Sequence, residues 1–234
     1  MSGIHRNATA YYTVSMFAVD DMRPAVLLTG FGPFPGIPVN ASADLVRDVV
    51  RRAGRTFPAF RFVAAILPTE WRRAPGLVAE LHDRFAPVLS LHFGVAAGTE
   101  GIRLETRAEN VCRASFDAVN LMPLTGTLCV DGPATRQITL DIPAISQVLN
   151  DRGWPCSTSE DAGGYLCNAV LYQSLASAEA RGGGAVGFVH IPSGFSNSLL
   201  TLEETSNAAL AIIATALEAV STTTAPTALA AASE

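Results

Sequence analysis

The chain has 234 residues, 49% of them hydrophobic, and a formal net charge of -5 at pH 7. That length and apolar content suit one large α/β domain with a sizeable core. The acidic balance excludes a general attraction to nucleic acid or to an anionic membrane surface. All 16 basic residues are arginine, which excludes Schiff-base chemistry through a lysine.

In chain order, residues 1–24 read as an N-terminal extension. Their apolar stretch lies behind His5 and Arg6, is broken by polar residues and runs into Asp20-Asp21, with no small-residue cleavage pattern of a signal peptide. From residue 25, short aliphatic and β-branched runs alternate with amphipathic helical stretches. Strands are expected over 25–28, 60–67, 88–93, 102–111 and 185–191, and helices over 42–53, 71–85, 143–151, 166–180 and 202–220. Asp141 ahead of Pro143 and Gly153 after Arg152 are start and stop signals for the third helix. The alternation predicts a mainly parallel, twisted sheet covered on both faces: a single-domain α/β/α sandwich over 25–220. The Thr/Ala-rich segment 221–234 reads as a disordered tail. The longest apolar run, 208–217, is too short to span a bilayer, so no membrane partner is expected.

Ligand sites of open α/β sheets form beyond the carboxyl ends of the strands. Three segments meet there: the loop Thr29-Gly30-Phe31-Gly32-Pro33-Phe34-Pro35-Gly36, the strand end Phe93-Gly94, and His190 in Gly187-Phe188-Val189-His190-Ile191-Pro192. The loop is glycine-rich, but Pro33 and Pro35 remove two N–H donors that a phosphate cradle needs. Phe31 and Phe34 instead offer walls for a small, flat, apolar pocket, or pack beneath the loop.

Cys167 stands in Tyr165-Leu166-Cys167-Asn168 at the head of the fourth expected helix, behind the turn Asp161-Ala162-Gly163-Gly164. A thiol is a useful nucleophile only as the thiolate, and a helix N-terminus and a neighbouring imidazolium both favour that form. Cys167 and His190 therefore form a candidate nucleophile and base, against the plainer reading of each as a buried core residue. Cys112, Cys129, Cys156 and Cys167 contain no C-x-x-C pair and no His-rich partner segment, so no metal is expected, and a reducing, cytoplasmic setting is the simpler reading. Along 102–109 the two-residue period puts Arg103, Glu105, Arg107 and Glu109 on one strand face. This face is either solvated and ion-paired, or it carries a carboxylate that orients a histidine.

Together, Leu28 to Phe34, Asn40-Ala41-Ser42, His92-Phe93-Gly94 with Gly98, the strand around Glu105, Tyr165 to Asn168 and Gly187 to Pro192 resemble the pyroglutamyl peptidase I family of cysteine peptidases. The resemblance implies a catalytic triad at Glu105, Cys167 and His190. It implies a pocket for a five-membered lactam to which Phe31, Phe34, Asn40, Tyr165 and Leu166 contribute. It also implies N-terminally pyroglutamylated peptides as substrates, no cofactor, and a cytoplasmic homo-oligomer, a tetramer in many members. The chain departs from the family pattern at Val95 and Thr99, where a polar pocket residue and an Arg are common, and at Ser115, where an Arg is usual and Arg113 is a substitute from two positions earlier. Two other readings stay open: a cysteine amidohydrolase for a different acyl group, and a catalytically silent lactam-binding protein.

Overall fold

The computed structural model describes residues 21–196 and 198–223. Of the extension expected over 1–24, residues 1–20 lie outside the described residues, as do 224–234 of the tail expected over 221–234.

Six strands form one sheet. They are β1 (Ala25–Phe31), β2 (Arg61–Leu67), β3 (Leu89–Val95), β4 (Ile102–Glu105), β7 (Cys156–Ser159) and β8 (Ala185–Ile191), in the order β2-β1-β3-β8-β4-β7. The β2, β1, β3 and β8 strands are mutually parallel; β4 runs antiparallel to β8 and parallel to β7. The sheet is thus mainly parallel, with one antiparallel junction. The chain leaves β1 through α1 (Ala41–Thr56) and returns from β2 to β3 through α2 (Ala74–Phe85) on the opposite face. That reversal opens a crevice at the carboxyl ends of β1 and β3.

Strand side chains alternate between the two faces. Leu89, Leu91 and Phe93 of β3, with Val189 and Ile191 of β8, pack under α1, α3 (Ile142–Asp151) and α5 (Leu202–Thr223). Leu27, Val63, Ala65, Val186 and Phe188 pack under α2 and α4 (Leu166–Ala180) on the other face. The result is the expected three-layer α/β/α arrangement.

Asp141 caps α3 as its sequence position suggests, accepting from the Ala144 N–H at 3.0 Å, and Gly153 follows the helix with φ +72°. The second helix begins at Ala74 rather than 71. The Trp71 N–H is bonded to Asp117 and its indole N–H to the Ser115 carbonyl, and these bonds hold residues 71–73 outside the helix. The last helix runs three residues past its expected end at 220, to Thr223.

The largest difference is at the expected strand over 102–111, which the structure divides at Thr106. Thr106 gives its N–H and its hydroxyl to the Ser159 carbonyl, and its own carbonyl accepts from the Ile138 N–H. The chain there leaves the main sheet, and β5 (Arg107–Glu109) pairs with β6 (Thr135–Gln137) in a separate two-stranded ladder. Among the described residues no helix is long and apolar enough to cross a membrane.

Candidate active site

Cys167 is the second residue of α4, behind an N-cap at Tyr165 and the left-handed Gly163 with φ +80°. This turn aims the thiol over the carboxyl end of the sheet, beside first-turn N–H groups that helix geometry leaves unpaired. Asn168, fully buried, ties the same turn to β5: its amide donates to the Glu109 and Val111 carbonyls, and its side-chain oxygen accepts from the Glu109 N–H at 2.8 Å.

Beneath the thiol lie Gly94 of β3 and His190 of β8, paired across the parallel ladder. A methyl group built on Gly94 would stand 3.0 Å from the Cys167 Sγ and 2.8 Å from the Phe188 ring, so only glycine leaves room for the sulfur here. The Phe188 ring lies 4.8 Å from the His190 imidazole, centroid to centroid, and walls it on one side.

His190 Nδ1 meets Glu105 Oε1 at 2.7 Å, and Glu105 is completely buried. Its strand face is therefore not simply solvated. Arg107 and Glu109, farther along, form a partly exposed ion pair in the separate β5 segment, whereas Glu105 turns under α4 because Arg103 and Leu104 of β4 pair with His190 and Val189. The second oxygen, Oε2, is buried without a hydrogen-bond partner.

On the far side the imidazole interacts electrostatically with Cys167. Burial by itself lowers the basicity of His190. The negative charge on Cys167, together with the hydrogen bond to Glu105 and its charge, outweighs this and raises the imidazole to about 9. Cys167 and the Glu105 carboxylate thus favour the protonated form of His190. Such an arrangement can form a thiolate, deliver a proton to a leaving group and keep one imidazole tautomer.

The expected pocket residues divide into two sets. The Phe34 and Tyr165 rings stand 6.0 Å apart, Trp71 meets Tyr165 edge-on at 5.2 Å, and Phe31 lies 6.3 Å from Phe188. These rings border the thiol from the side of the β1 loop. Burial raises Tyr165 to about 12, with a further contribution from Asp117, so its hydroxyl stays protonated and donates to the Phe116 carbonyl.

The other three residues are placed differently. Leu166 is fully buried in the core under α4. The Asn40 amide is taken up structurally: its oxygen caps α1 through Ser42, and its nitrogen donates to the Gly32 carbonyl. Val95 packs into the cluster under α1 and α5, on the opposite sheet face from Gly94 and the thiol, as strand alternation requires. The structure therefore does not bring Val95 to the thiol. A cavity of about 390 Å3 between the β1 loop, the end of β2 and the start of α1 touches Phe31 and Asn40, but none of Glu105, Cys167 and His190.

Of the other departures, Thr99 is buried, and Ser115 serves through its carbonyl, which accepts from Trp71. Arg113 pairs at 3.4 Å with Asp161 on the exposed turn ahead of α4, so it braces that turn from outside. Sequence reasoning missed the roles of Asn168, Gly94 and Phe188. All three stand inside the quoted motifs, and the steric need for glycine at 94 could have been suspected from its place at a strand end facing a helix start.

Comparison with known proteins places this geometry in a family. The family model described as pyroglutamyl peptidase matches residues 24–228. The chain is 37% identical over 168 residues to a pyrrolidone-carboxylate peptidase of Chromobacterium violaceum, covering 71% of this chain and 77% of that protein. A second, from Halalkalibacterium halodurans, is 31% identical, covering 73% of this chain and 85% of the other. Among solved structures, pyroglutamyl peptidase I of Bacillus amyloliquefaciens superposes with a TM-score of 0.75 at 27% identity, over 84% of this chain and 98% of that one. Pyrrolidone carboxyl peptidase of Thermococcus litoralis gives a TM-score of 0.78 at 25% identity, over 86% of this chain and 96% of the other. The fold, the matched span and the identity to these relatives agree: the chain belongs to the pyroglutamyl peptidase family of cysteine peptidases.

Proposed function

We propose that this protein removes an N-terminal pyroglutamyl residue from peptides by acyl transfer through Cys167. The observation that carries this reading is the fully buried Glu105 bonded at 2.7 Å to a His190 that Cys167, at a helix head, makes more basic.

The steps follow from the charges. Before substrate binds, the thiol proton already resides on His190, so the resting pair is a thiolate beside an imidazolium. The sulfur attacks the pyroglutamyl carbonyl carbon, and the oxygen that gains the electron pair is met by first-turn N–H groups of α4, where the helix dipole favours negative charge. The imidazolium gives its proton to the departing amine, the C–N bond breaks, and a thioester remains on Cys167. The now neutral imidazole draws a proton from water, hydroxide adds to the thioester, and the released thiolate recovers its ion pair with His190. Glu105 holds the ring so that Nε2 faces the sulfur throughout.

Phe31, Phe34 and Tyr165 are the residues we assign to the walls of a flat slot for the lactam. Leu166 and Asn40 support the slot from behind. Four unpaired cysteines agree with a reducing, cytoplasmic location, and the exposed apolar side chains Phe116, Val119, Met122 and Leu124 of one surface loop agree with a homo-oligomer, a tetramer in our reading. The function is tested by turnover of pyroglutamyl-aminocoumarin by the purified protein. Hydrolysis that disappears in folded Cys167→Ala is expected, and hydrolysis that persists in that variant refutes the assignment of the nucleophile.

A further inference from the structure

Away from the Cys167 turn, the interface between α4 and the sheet holds one buried chain of polar side chains within an otherwise apolar layer. Thr29 Oγ1 meets His92 Nδ1 at 2.7 Å, and His92 Nε2 meets Ser174 Oγ at 2.7 Å. Ser174 Oγ also meets His82 Nε2 at 2.8 Å, and Ser90 Oγ approaches the same nitrogen at 3.2 Å. All five residues are buried, and they link β1, β3, α2 and α4. None of them enters the chemistry described above.

The proton order along this chain can be derived. His82 Nδ1 is buried without a partner. A proton there would be a stranded donor, which costs more than a stranded lone pair, so His82 carries its proton on Nε2 and gives it to Ser174. The Ser174 hydroxyl must then donate to His92 Nε2, and His92 Nδ1–H donates to Thr29. Both histidines are neutral in this scheme, in keeping with burial, which lowers His82 to about 4 and His92 to about 3. Ser174 is the hub, because it both accepts and donates.

Its location gives the hub a consequence for the site. Ser174 follows Cys167 by seven residues, two helical turns to within about 20°, so both project from one stripe of α4, about 10 Å apart along its axis. Ser90, His92 and Gly94 alternate onto the β3 face beneath that stripe, and a methyl group added at Gly94 would stand 3.0 Å from the sulfur. Asn168 ties the first turn of α4 to β5, but farther along the helix the contacts with the main sheet outside the hub are hydrophobic and non-directional, so they resist separation better than sliding or rotation. Hydrogen bonds of 2.7 to 2.8 Å at the hub fix both its height and its azimuth.

We propose that Ser174 and His92 are positioning residues for Cys167: through the hub they hold α4 in the register that keeps the thiol against His190. The proposal rests on Cys167 being the nucleophile, and the experiment separates the two claims. The rate of Cys167 alkylation by iodoacetamide is measured against pH, with the modified site mapped by mass spectrometry, in the wild type, Ser174→Ala, His92→Leu, His92→Gln and Leu175→Ala. Leu175 is a buried apolar residue of the same helix outside the polar chain, so Leu175→Ala loosens the interface without touching the hub.

Ser174→Ala and His92→Leu are expected to move the midpoint of thiolate formation upward by about one pH unit, equivalent to about a tenfold slower reaction on the acid side. His92→Gln, which can still bond to Ser174, should recover part of the shift. Leu175→Ala should lower Tm and leave the midpoint in place. A wild-type midpoint retained in Ser174→Ala and His92→Leu overturns the positioning role, as does an equal shift in Leu175→Ala. If wild-type Cys167 reacts no faster than the exposed Cys129, the nucleophile assignment fails, and the positioning role with it.

Discussion

Replacing Glu105 with Gln keeps the side chain's shape and removes one negative charge from a buried pair. Oε1 accepts from His190 Nδ1 at 2.7 Å, while Oε2 is buried without a partner, so a glutamine has two ways to fit and both are costly. If its carbonyl keeps the imidazole N–H, its NH2 occupies the Oε2 position and buries donors that nothing receives, at about 1–3 kcal/mol. If the amide turns over, the NH2 faces Nδ1, selects the other tautomer and presents a protonated Nε2 to the thiol, which then cannot pass on its proton. The charge-assisted hydrogen bond lost in either case is worth about 1.5–3 kcal/mol. At about 1.4 kcal/mol per factor of ten, kcat/KM should fall about 10- to 150-fold. The pH profile should move as well. His190 is held at about 9 partly by Glu105, so without the carboxylate the imidazolium gives up its proton at lower pH. The alkaline limb of kcat/KM should shift about one to two units toward neutrality. The assay is hydrolysis of pyroglutamyl-aminocoumarin from about pH 5.5 to 10, with circular dichroism as a control for folding. A loss below threefold with an unmoved alkaline limb would refute the assignment of the orienting carboxylate to Glu105.

Other expected outcomes rest on separate observations. Glu109→Gln should stay within about twofold of wild type in kcat/KM, because that carboxylate is in a partly exposed ion pair with Arg107, and such pairs contribute little; a loss larger than that of Glu105→Gln would exchange their roles. Gly94→Ala should cost most of the turnover in a folded protein, since its methyl would lie 3.0 Å from the Cys167 sulfur and 2.8 Å from the Phe188 ring; unchanged kinetics would show that both groups yield freely. Val95→Gln should leave the preference for pyroglutamyl over prolyl aminocoumarin unchanged, because Val95 faces the α1 and α5 layer; a raised preference would put position 95 in the lactam slot after all. His82 and His92 are both lowered by burial, with Arg181 adding to the effect at His82, so the unfolded chain binds more protons than the folded one between pH 6.5 and their folded values of about 4 and 3. Stability should therefore fall as pH drops through that window, and calorimetry showing a constant Tm from about pH 6.5 to 4.5 would contradict their burial as neutral groups.

How far the fold was legible in the sequence depended on burial. The core strands and helices carry their period strongly, and α4 and β8 begin and end where the residue pattern places them. By contrast, β6 is three partly exposed residues, Thr-Arg-Gln, and β7 is Cys-Ser-Thr-Ser with no apolar face, so neither had a hydrophobic signal to read. The division at Thr106 was invisible because it depends on carbonyls and N–H groups of Ser159 and Ile138, both distant in sequence. At the site, the positions of Cys167 and His190 at a helix head and a strand end could be argued from order alone. The choice of Glu105 over Glu109 could not, because both occupy the same face by period and only the departure of β5 from the sheet separates them. The apolar replacement at Val95 stood out as a change in the pocket, yet strand alternation already implied that 94 and 95 face opposite layers. Applied to β3 as it was to β4, the same rule would have placed Val95 away from the thiol.

The central claim is a covalent acyl-enzyme on Cys167, and it can be observed directly. The protein is mixed with excess pyroglutamyl-aminocoumarin, quenched with acid within the first turnovers, digested and mapped by mass spectrometry. The account predicts the mass of one pyroglutamyl group on the peptide containing Cys167, absent from Cys167→Ala and from peptides carrying Cys112, Cys129 or Cys156. Turnover that proceeds while Cys167 remains unmodified throughout, or an acyl group found on another residue, would contradict it.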